Sequence, residues 1–363
     1  MGTDSAARGM PHAGLWAGAA AHGRKDGAMK KLINRVDDVA SEILEGVEGL
    51  HRTRVRKLPG QLVLVRRDAP VHGKVAVIAG GGSGHEPAFW GCIGPGMIDG
   101  AVQGEVFTSP TPDTILAGIT AVDGGAGVVL LYNNYTGDVM NFDWAQEEAS
   151  ARGLRVASIV VDDDVAVRDS TYTIGRRGIA GSFFVQKIAG AAAARMLSFE
   201  RVVELGRKAN RHVRSMGMAL TSCVVPAKGA PTFEIGDDEM EIGMGLHGEP
   251  GIARSPMRPA DDVAEALVRG AAEDFPLRWA DRVAVLLNGA GATPPMELYI
   301  VGRAVAAYLE RNGVSIHRSY VGEFATSMEM AGCSVSLMRL DDELASLLDD
   351  PADTIAFAQQ GLV

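Results

Sequence analysis

The apolar residues of the chain fall into two kinds of segment. KVAVIAG (74–80), AGVVLLY (126–132) and RVASIVV (155–161) are short, nearly unbroken, rich in β-branched residues and bounded by Gly or Asp. Such runs predict strands buried on both faces of a parallel sheet. Between them DWAQEEASARGL (143–154) and GSFFVQKIAGAAAARML (181–197) have the length and composition of helices. The alternation predicts a three-layer α/β/α domain over 29–210 with a mainly parallel sheet. From Arg211 a second block starts. MGMALTSCVVPA (216–227), FEIGDDEMEIGMGLHG (233–248), RVAVLLNGAG (282–291) and CSVSLMRL (333–340) read as strands, with helices at 263–274 and 295–312. This predicts a smaller two-layer α/β domain with a mixed sheet over 211–363. Residues 1–28 are Gly/Ala-rich and show neither periodicity nor the basic start, apolar centre and cleavage site of a signal peptide. They read as a disordered extension, or as an over-long start before Met29-Lys30-Lys31.

Composition narrows the function. The length of 363 residues corresponds to about two domains. Gly makes up 45 residues, set between apolar runs, which points to tight turns and backbone-lined sites. The net charge of −10 with no basic block argues against a nucleic acid or an acidic membrane surface as partner. No apolar run reaches the ~18 residues of a membrane span. Cys92, Cys223 and Cys333 are odd in number and far apart, which fits reduced thiols and gives no metal-ligand spacing. A cytoplasmic enzyme or binding protein is expected.

Three strand ends carry candidate chemistry. GGGSGHEP (80–87) lets backbone N–H groups approach a ligand, and presents His85 and Glu86 where ligands gather in α/β sheets. It lacks the Lys of a Walker loop and the spacing of a dinucleotide fingerprint. The bland alternative is a sharp strand-to-helix turn. In NNYTGD (133–138), Asp138 is placed to take a proton from a substrate hydroxyl, or alternatively to cap the next helix. In GLHGEPG (245–251), the neighbouring glycines leave His247 accessible as a nucleophile toward a carbonyl or a phosphoryl group. For Asp162, Asp163 and Asp164 a solvated strand end is favoured over a cation site. Arg176 and Arg177 are expected to be solvated or ion-paired rather than ligand-binding.

In one order over 29–345 stand MKKLIN, GGGSGHEP, GEVFTSPTPD, NYTGD, DDDVAV, GRRG, ELGRK, MGMAL, GLHGEPG, GATP and ELY. In these motifs the chain resembles the substrate-binding subunit family of dihydroxyacetone kinases. The resemblance implies the two-domain α/β fold reached above and assigns roles to residues. His247 would form a hemiaminal with a short ketose, Asp138 would deprotonate the terminal hydroxyl, and His85 would hydrogen-bond the substrate near that hydroxyl. Gly82 and Ser109 would line the pocket. Asn133 stands where the family usually has a substrate-contacting Lys, which implies a different ketose such as a tetrulose, or weakened catalysis. The resemblance further implies a homodimer, no metal held by this chain, and a separate nucleotide-binding kinase subunit carrying ATP or ADP with Mg²⁺. That subunit would be charged by ATP exchange or by a phosphotransferase-system phosphocarrier. The family also contains ketone-binding co-activators of transcription regulators, so a sensor is the alternative to a kinase subunit. A phosphohistidine carrier at His247 is the third reading.

Overall fold

The computed structural model describes residues 30–167 and 174–361, so the expected extension at 1–28 lies outside the described residues. Helix α1 (Val39–Leu50) precedes β1 (Val55–Lys57), β2 (Val63–Arg66), β3 (Ala76–Ser83), β4 (Gly100–Val106), α2 (Pro112–Val122), β5 (Val128–Asn133), α3 (Thr136–Ala151) and β6 (Val156–Val161). The six strands form one sheet in the order β1-β2-β4-β3-β5-β6. Strands β4, β3, β5 and β6 are mutually parallel, while β1 and β2 add an antiparallel edge. The chain steps from β3 to β4 on one side, then returns through α2 to β5 on the other. The carboxyl ends of β3 and β5 therefore flank the crevice where open α/β sheets bind ligands.

Helices α4 (Ser182–Ala194) and α5 (Phe199–His212) follow, then β7 (Val213–Ala219), β8 (Glu239–Ile242), β9 (Ala253–Pro256), α6 (Ala260–Asp274), β10 (Arg282–Gly289), α7 (Pro295–Arg311), β11 (Ser315–Gly322), β12 (Gly332–Leu340) and α8 (Asp342–Leu348). The second sheet runs β11-β10-β12-β7-β8-β9. Only its β10/β11 pair is parallel. Helices α2 and α3 cover one face of the first sheet through Ile115, Ile119, Phe142 and Ala145. Helices α6 and α7 cover one face of the second through Leu267, Val268, Leu298 and Val305. Between the sheets lies α4, buried at every position from Ser182 to Ala193, in a core that joins Val77 and Leu131 of the first sheet to Leu286 and Met338 of the second. A helix of mostly small and apolar residues buried on all sides belongs in such a layer, where its Lys187 donates to the Leu347 carbonyl at 3.0 Å. Ile33–Val363 form one compact unit, and the expected boundary at 210/211 falls in the last turn of α5.

Several local expectations are corrected. The glycines of GGGSGHEP do not form a turn but continue β3, with Gly80, Gly81 and Gly82 paired to Val102, Gln103 and Gly104. A Cβ on Gly80 would lie 2.4 Å from Val102, so the close strand contact requires glycine. The segment after them enters a 3₁₀ turn at Trp90–Cys92 rather than an α-helix. Helix α3 begins at Thr136, seven residues before the expected start, so Asp138 sits in its first turn and is not its cap. The triple-aspartate strand end is solvated only at Asp162, since Asp163 and Asp164 are fully buried.

Candidate functional site

The first sheet supplies the floor of the site. Gly82, near the end of β3, brings its backbone against Thr108, where a Cβ would meet the Thr108 nitrogen at 2.8 Å. Ser83 fixes the adjoining strand by donating from Oγ to the Gly104 carbonyl at 2.7 Å. Asp138 projects from the first turn of α3. Burial pushes its carboxyl up to about 6, against a hydrogen bond from Ser109 and the nearby His247 that both favour ionisation. Asp138 Oδ1 is buried without a hydrogen-bond partner. A buried carboxylate oxygen left open in this way costs stability and marks a place where a ligand donor fits.

The second sheet supplies the wall. The turn between β8 and β9 carries His247 and Glu249, and the segment between β11 and β12 carries Thr326 and Ser327. Ser327 donates from Oγ to the Leu246 carbonyl, tying the two segments together. Farther back, the buried Arg177 pairs with Asp164 at 2.7 Å and donates to the Gly243 carbonyl at 2.7 Å, which anchors the start of the His247 turn. Asp163 accepts from the N–H groups of Ile179 at 2.8 Å and Gly181 at 2.9 Å. Arg176 pairs with Asp274. The charged residues after β6 thus hold structure. Asp164 is engaged by Arg177 and by the Ala166 N–H, and Asp162 by Asn210, so the two do not form a shared cation site.

The two histidines meet where floor and wall join. His85 Nδ1 lies 2.7 Å from the Thr326 carbonyl, and its Nε2 lies 3.1 Å from Nε2 of His247. A carbonyl only accepts, so His85 carries its hydrogen on Nδ1. Burial, then the charge of His247, push the His85 imidazole down to about 3 and keep it neutral. Its Nε2 therefore presents a lone pair, and His247 Nε2 must donate to it. His247 Nδ1 is 2.8 Å from Glu249 Oε1, and the His247 N–H donates to Oε2 of the same carboxylate at 2.9 Å. Burial opposes ionisation of Glu249, but the charge and hydrogen bond of His247 outweigh it and hold the carboxyl at about 2. The hydrogen-bond accounting closes only when His247 carries hydrogen on both nitrogens, with Glu249 as counter-charge.

Aromatic rings fix this pair. Phe107 stacks on His85 with centroids 4.9 Å apart, and the edges of Phe107 and Tyr135 meet His247 at 4.9 and 4.7 Å. The cavity in front of them is about 640 Å³ and is lined by Gly82, Ser109, Asp138, His247 and Glu249 among others. A larger cleft of about 900 Å³ between Pro95, Ala194 and Gln359 has no histidine, cysteine, serine or lysine among the described residues of its lining.

Of the residues expected at the site, His85, His247, Asp138, Gly82 and Ser109 come together here. Asn133 does not line the cavity. It is buried at the end of β5 beside Gly178, and its Oδ1 has no partner. Sequence reasoning missed Glu249, Phe107, Tyr135 and Thr326. Glu249 had a readable signal, a carboxylate two residues after His247 in a Gly-bounded turn.

A family model described as the Dak1 domain matches residues 45–356. The dihydroxyacetone-binding subunit of PTS-dependent dihydroxyacetone kinase 1 from Listeria innocua is 48% identical over 330 residues, covering 91% of this chain and 100% of that one. The corresponding subunit of the PEP-dependent dihydroxyacetone kinase of Escherichia coli is 45% identical, covering 90% and 99%. A D-erythrulose kinase of Mycolicibacterium smegmatis is 41% identical, covering 91% of this chain and 56% of that protein. Among solved structures, the dihydroxyacetone kinase of C. freundii superposes with a TM-score of 0.83 at 32% identity, covering 91% of this chain and 60% of that one. The dihydroxyacetone kinase operon co-activator Dha-DhaQ also gives 0.83, at 30% identity, covering 90% and 100%.

Proposed function

The chain belongs to the Dak1 family, and we propose that it is the ketose-binding subunit of a kinase that phosphorylates dihydroxyacetone or a related short hydroxyketone. The observation that carries this reading is the placement of His247, anchored through Nδ1 on Glu249 and facing His85, in the same cavity as the half-satisfied carboxyl of Asp138.

The entering ketone displaces the contact between the two Nε2 atoms. His247 gives up its Nε2 proton, and the freed lone pair attacks the carbonyl carbon. A C–N bond forms, the C=O π pair moves to oxygen, and that oxygen takes up the proton released from Nε2, so the ring, still protonated at Nδ1, keeps its positive charge against Glu249. His85, 3.1 Å from the same nitrogen, is placed to relay the proton and then to hydrogen-bond the substrate. Glycerol has no carbonyl and cannot be held this way. Covalent attachment positions a ligand with too few atoms to be fixed by contacts alone. Asp138 takes the proton of the terminal hydroxyl while that oxygen attacks phosphorus. Gly82 and Ser109 shape the pocket, Ser109 by orienting Asp138.

The phosphoryl donor is a nucleotide with Mg²⁺ on a separate kinase subunit, recharged by a phosphotransferase-system phosphocarrier, and the chain works as a homodimer. The names of the Listeria and Escherichia relatives support a phosphocarrier-dependent donor. A second reading, a four-carbon ketose such as erythrulose, is supported by the 41% identity to the D-erythrulose kinase of Mycolicibacterium smegmatis.

Native mass spectrometry of the chain with dihydroxyacetone, erythrulose and glycerol tests the proposal. A water-neutral adduct with a ketose, absent with glycerol, is expected. The lack of any ketose adduct on the folded protein would overturn the covalent reading. Phosphoryl transfer from the partner subunit then separates a kinase subunit from a co-activator, which binds the ketone without turning it over.

A further inference from the structure

The segment joining β7 to β8 is a built strap over the cavity. Ser222 Oγ accepts from the N–H groups of Thr232 at 3.0 Å and Phe233 at 3.3 Å. Val224 bridges Pro231 in antiparallel fashion, and its N–H donates to Glu329 Oε1 at 3.1 Å. The N–H groups of Lys228 and Gly229 both close on the Val225 carbonyl, at 3.0 and 2.9 Å. Gly229 takes a left-handed φ of 63°, which completes the turn and leaves Lys228 at its apex. The base of the strap rests on the His247 turn, since a Cβ on Gly248 would lie 2.6 Å from Thr232 Oγ1 and 2.9 Å from Phe233.

Lys228 lines the same cavity as Asp138, His247 and Glu249. Its side chain is exposed, and among the described residues its ammonium has no ion pair. Two carboxyl groups in one small cavity repel a phosphate, and phosphoryl transfer depends on cations beside the oxygens where charge accumulates. Among the described residues lining the cavity, Lys228 is the only lysine or arginine.

We propose that Lys228 is the phosphate-binding residue of this site, facing the phosphoryl oxygens during transfer and holding the phosphate of the product afterwards. The inference rests on the ketose being held at His247. In the transfer, the P–O bond to the donor breaks, a P–O bond to the ketose oxygen forms, and the hydroxyl proton goes to Asp138. Lys228 forms no covalent bond and acts by charge and hydrogen bonding alone.

The test is binding of dihydroxyacetone and of dihydroxyacetone phosphate to the full chain at low salt, for wild type, Lys228→Ala and Lys228→Arg. Lys228→Ala is expected to weaken the phosphate ester roughly tenfold, the size of a charge-assisted hydrogen bond, and to leave the unphosphorylated ketose unchanged. Lys228→Arg should recover most of the loss, and added salt should shrink the difference. Equal affinities of wild type and Lys228→Ala for the phosphate ester would overturn the proposal. So would a parallel loss for both ligands, which is the mark of a strap that only shapes the pocket. A wild-type chain that forms no ketose adduct and binds neither ligand defeats the function proposed above, and this inference with it.

Discussion

Two buried aspartates of this molecule have their carboxyl groups pushed up to about 6, and burial is the leading cause in both. Asp164 lies behind the site and is saturated: Arg177 reaches it through Nε at 2.9 Å and Nη2 at 2.7 Å, and the Ala166 N–H donates at 2.9 Å. Asp138 lies at the cavity with one oxygen unpartnered. The first fastens the turn that carries His247, while the second is left with a vacancy in its hydrogen bonding that a hydroxyl can fill. A displaced pKa therefore does not distinguish a catalytic group from a structural one here. The unsatisfied atom beside a cavity does.

The largest expected effect lies at the histidine wall that Asp164 supports. His247→Ala should abolish the ketose adduct in native mass spectrometry while leaving the cooperative unfolding transition in place. A persisting adduct would move the nucleophile elsewhere.

Substituting the two aspartates breaks the comparison most directly, because the same change should act with opposite sign. Asp138→Asn is expected to lower phosphoryl transfer by roughly a hundred- to ten-thousand-fold, the usual contribution of a positioned base. The adduct should remain. Asp164→Asn strands the buried Arg177 and should destabilise in denaturant unfolding at pH 7.5, the lost ion pair outweighing the relief of a carboxyl that burial has pushed up. Asp138→Asn should instead stabilise. The folded value of Asp138, about 6, lies above the ordinary 3.8, so the native state holds this proton more tightly than the unfolded chain. Stability is therefore lost as pH rises from about 4 to about 6, and the variant is spared a penalty of roughly 1–3 kcal/mol at pH 7.5 but gains nothing at pH 4. Equal destabilisation by both variants would erase the distinction.

The same titration predicts that wild-type phosphoryl transfer falls as pH drops through about 6, because a protonated Asp138 cannot accept the hydroxyl proton. A transfer rate flat from pH 5 to 8, measured with the chemical step limiting, would remove Asp138 as base. The smallest effect is expected at Asn133, which is buried behind the cavity wall. Asn133→Lys should shift the ratio of turnover between dihydroxyacetone and erythrulose by less than about tenfold, a change of under ~1.4 kcal/mol. An unchanged rate and ratio would exclude this position from substrate choice.

Much of the fold could be read from the chain because β3, β5 and β10 are buried and contain unbroken apolar runs, and β6, though a half-buried edge rather than the strand covered on both faces that its run predicts, is equally apolar. Strand β4 escaped notice although it lies between β2 and β3. GAVQGEV is half small and polar, because glycines there accept close neighbours where other strands place branched side chains. Strand β11, SIHRSYVG, is a half-exposed edge with little apolar signal. At the site, His85, Asp138 and His247 stood out because each follows a strand and has glycine nearby. Their coupling did not. The contact between His85 and His247 spans 162 residues, and the Thr326 carbonyl that sets the His85 tautomer is 241 residues away. Backbone carbonyls and ring edges leave no mark of their own in a sequence.

Helix α4 has a mechanical consequence for how the site admits its ligand. The floor of the cavity belongs to one sheet and the wall to the other, and both sheets press on the same fully buried helix. Swinging one sheet away from the other would open a gap along α4 and lose its close-packed contacts, so the jaws of the site have no hinge between them. Width and alignment are fixed when the protein folds, and the parts left to yield to an arriving molecule are the turns at the rim. The molecule works as a vice already set to its gauge, with the movement confined to the lips.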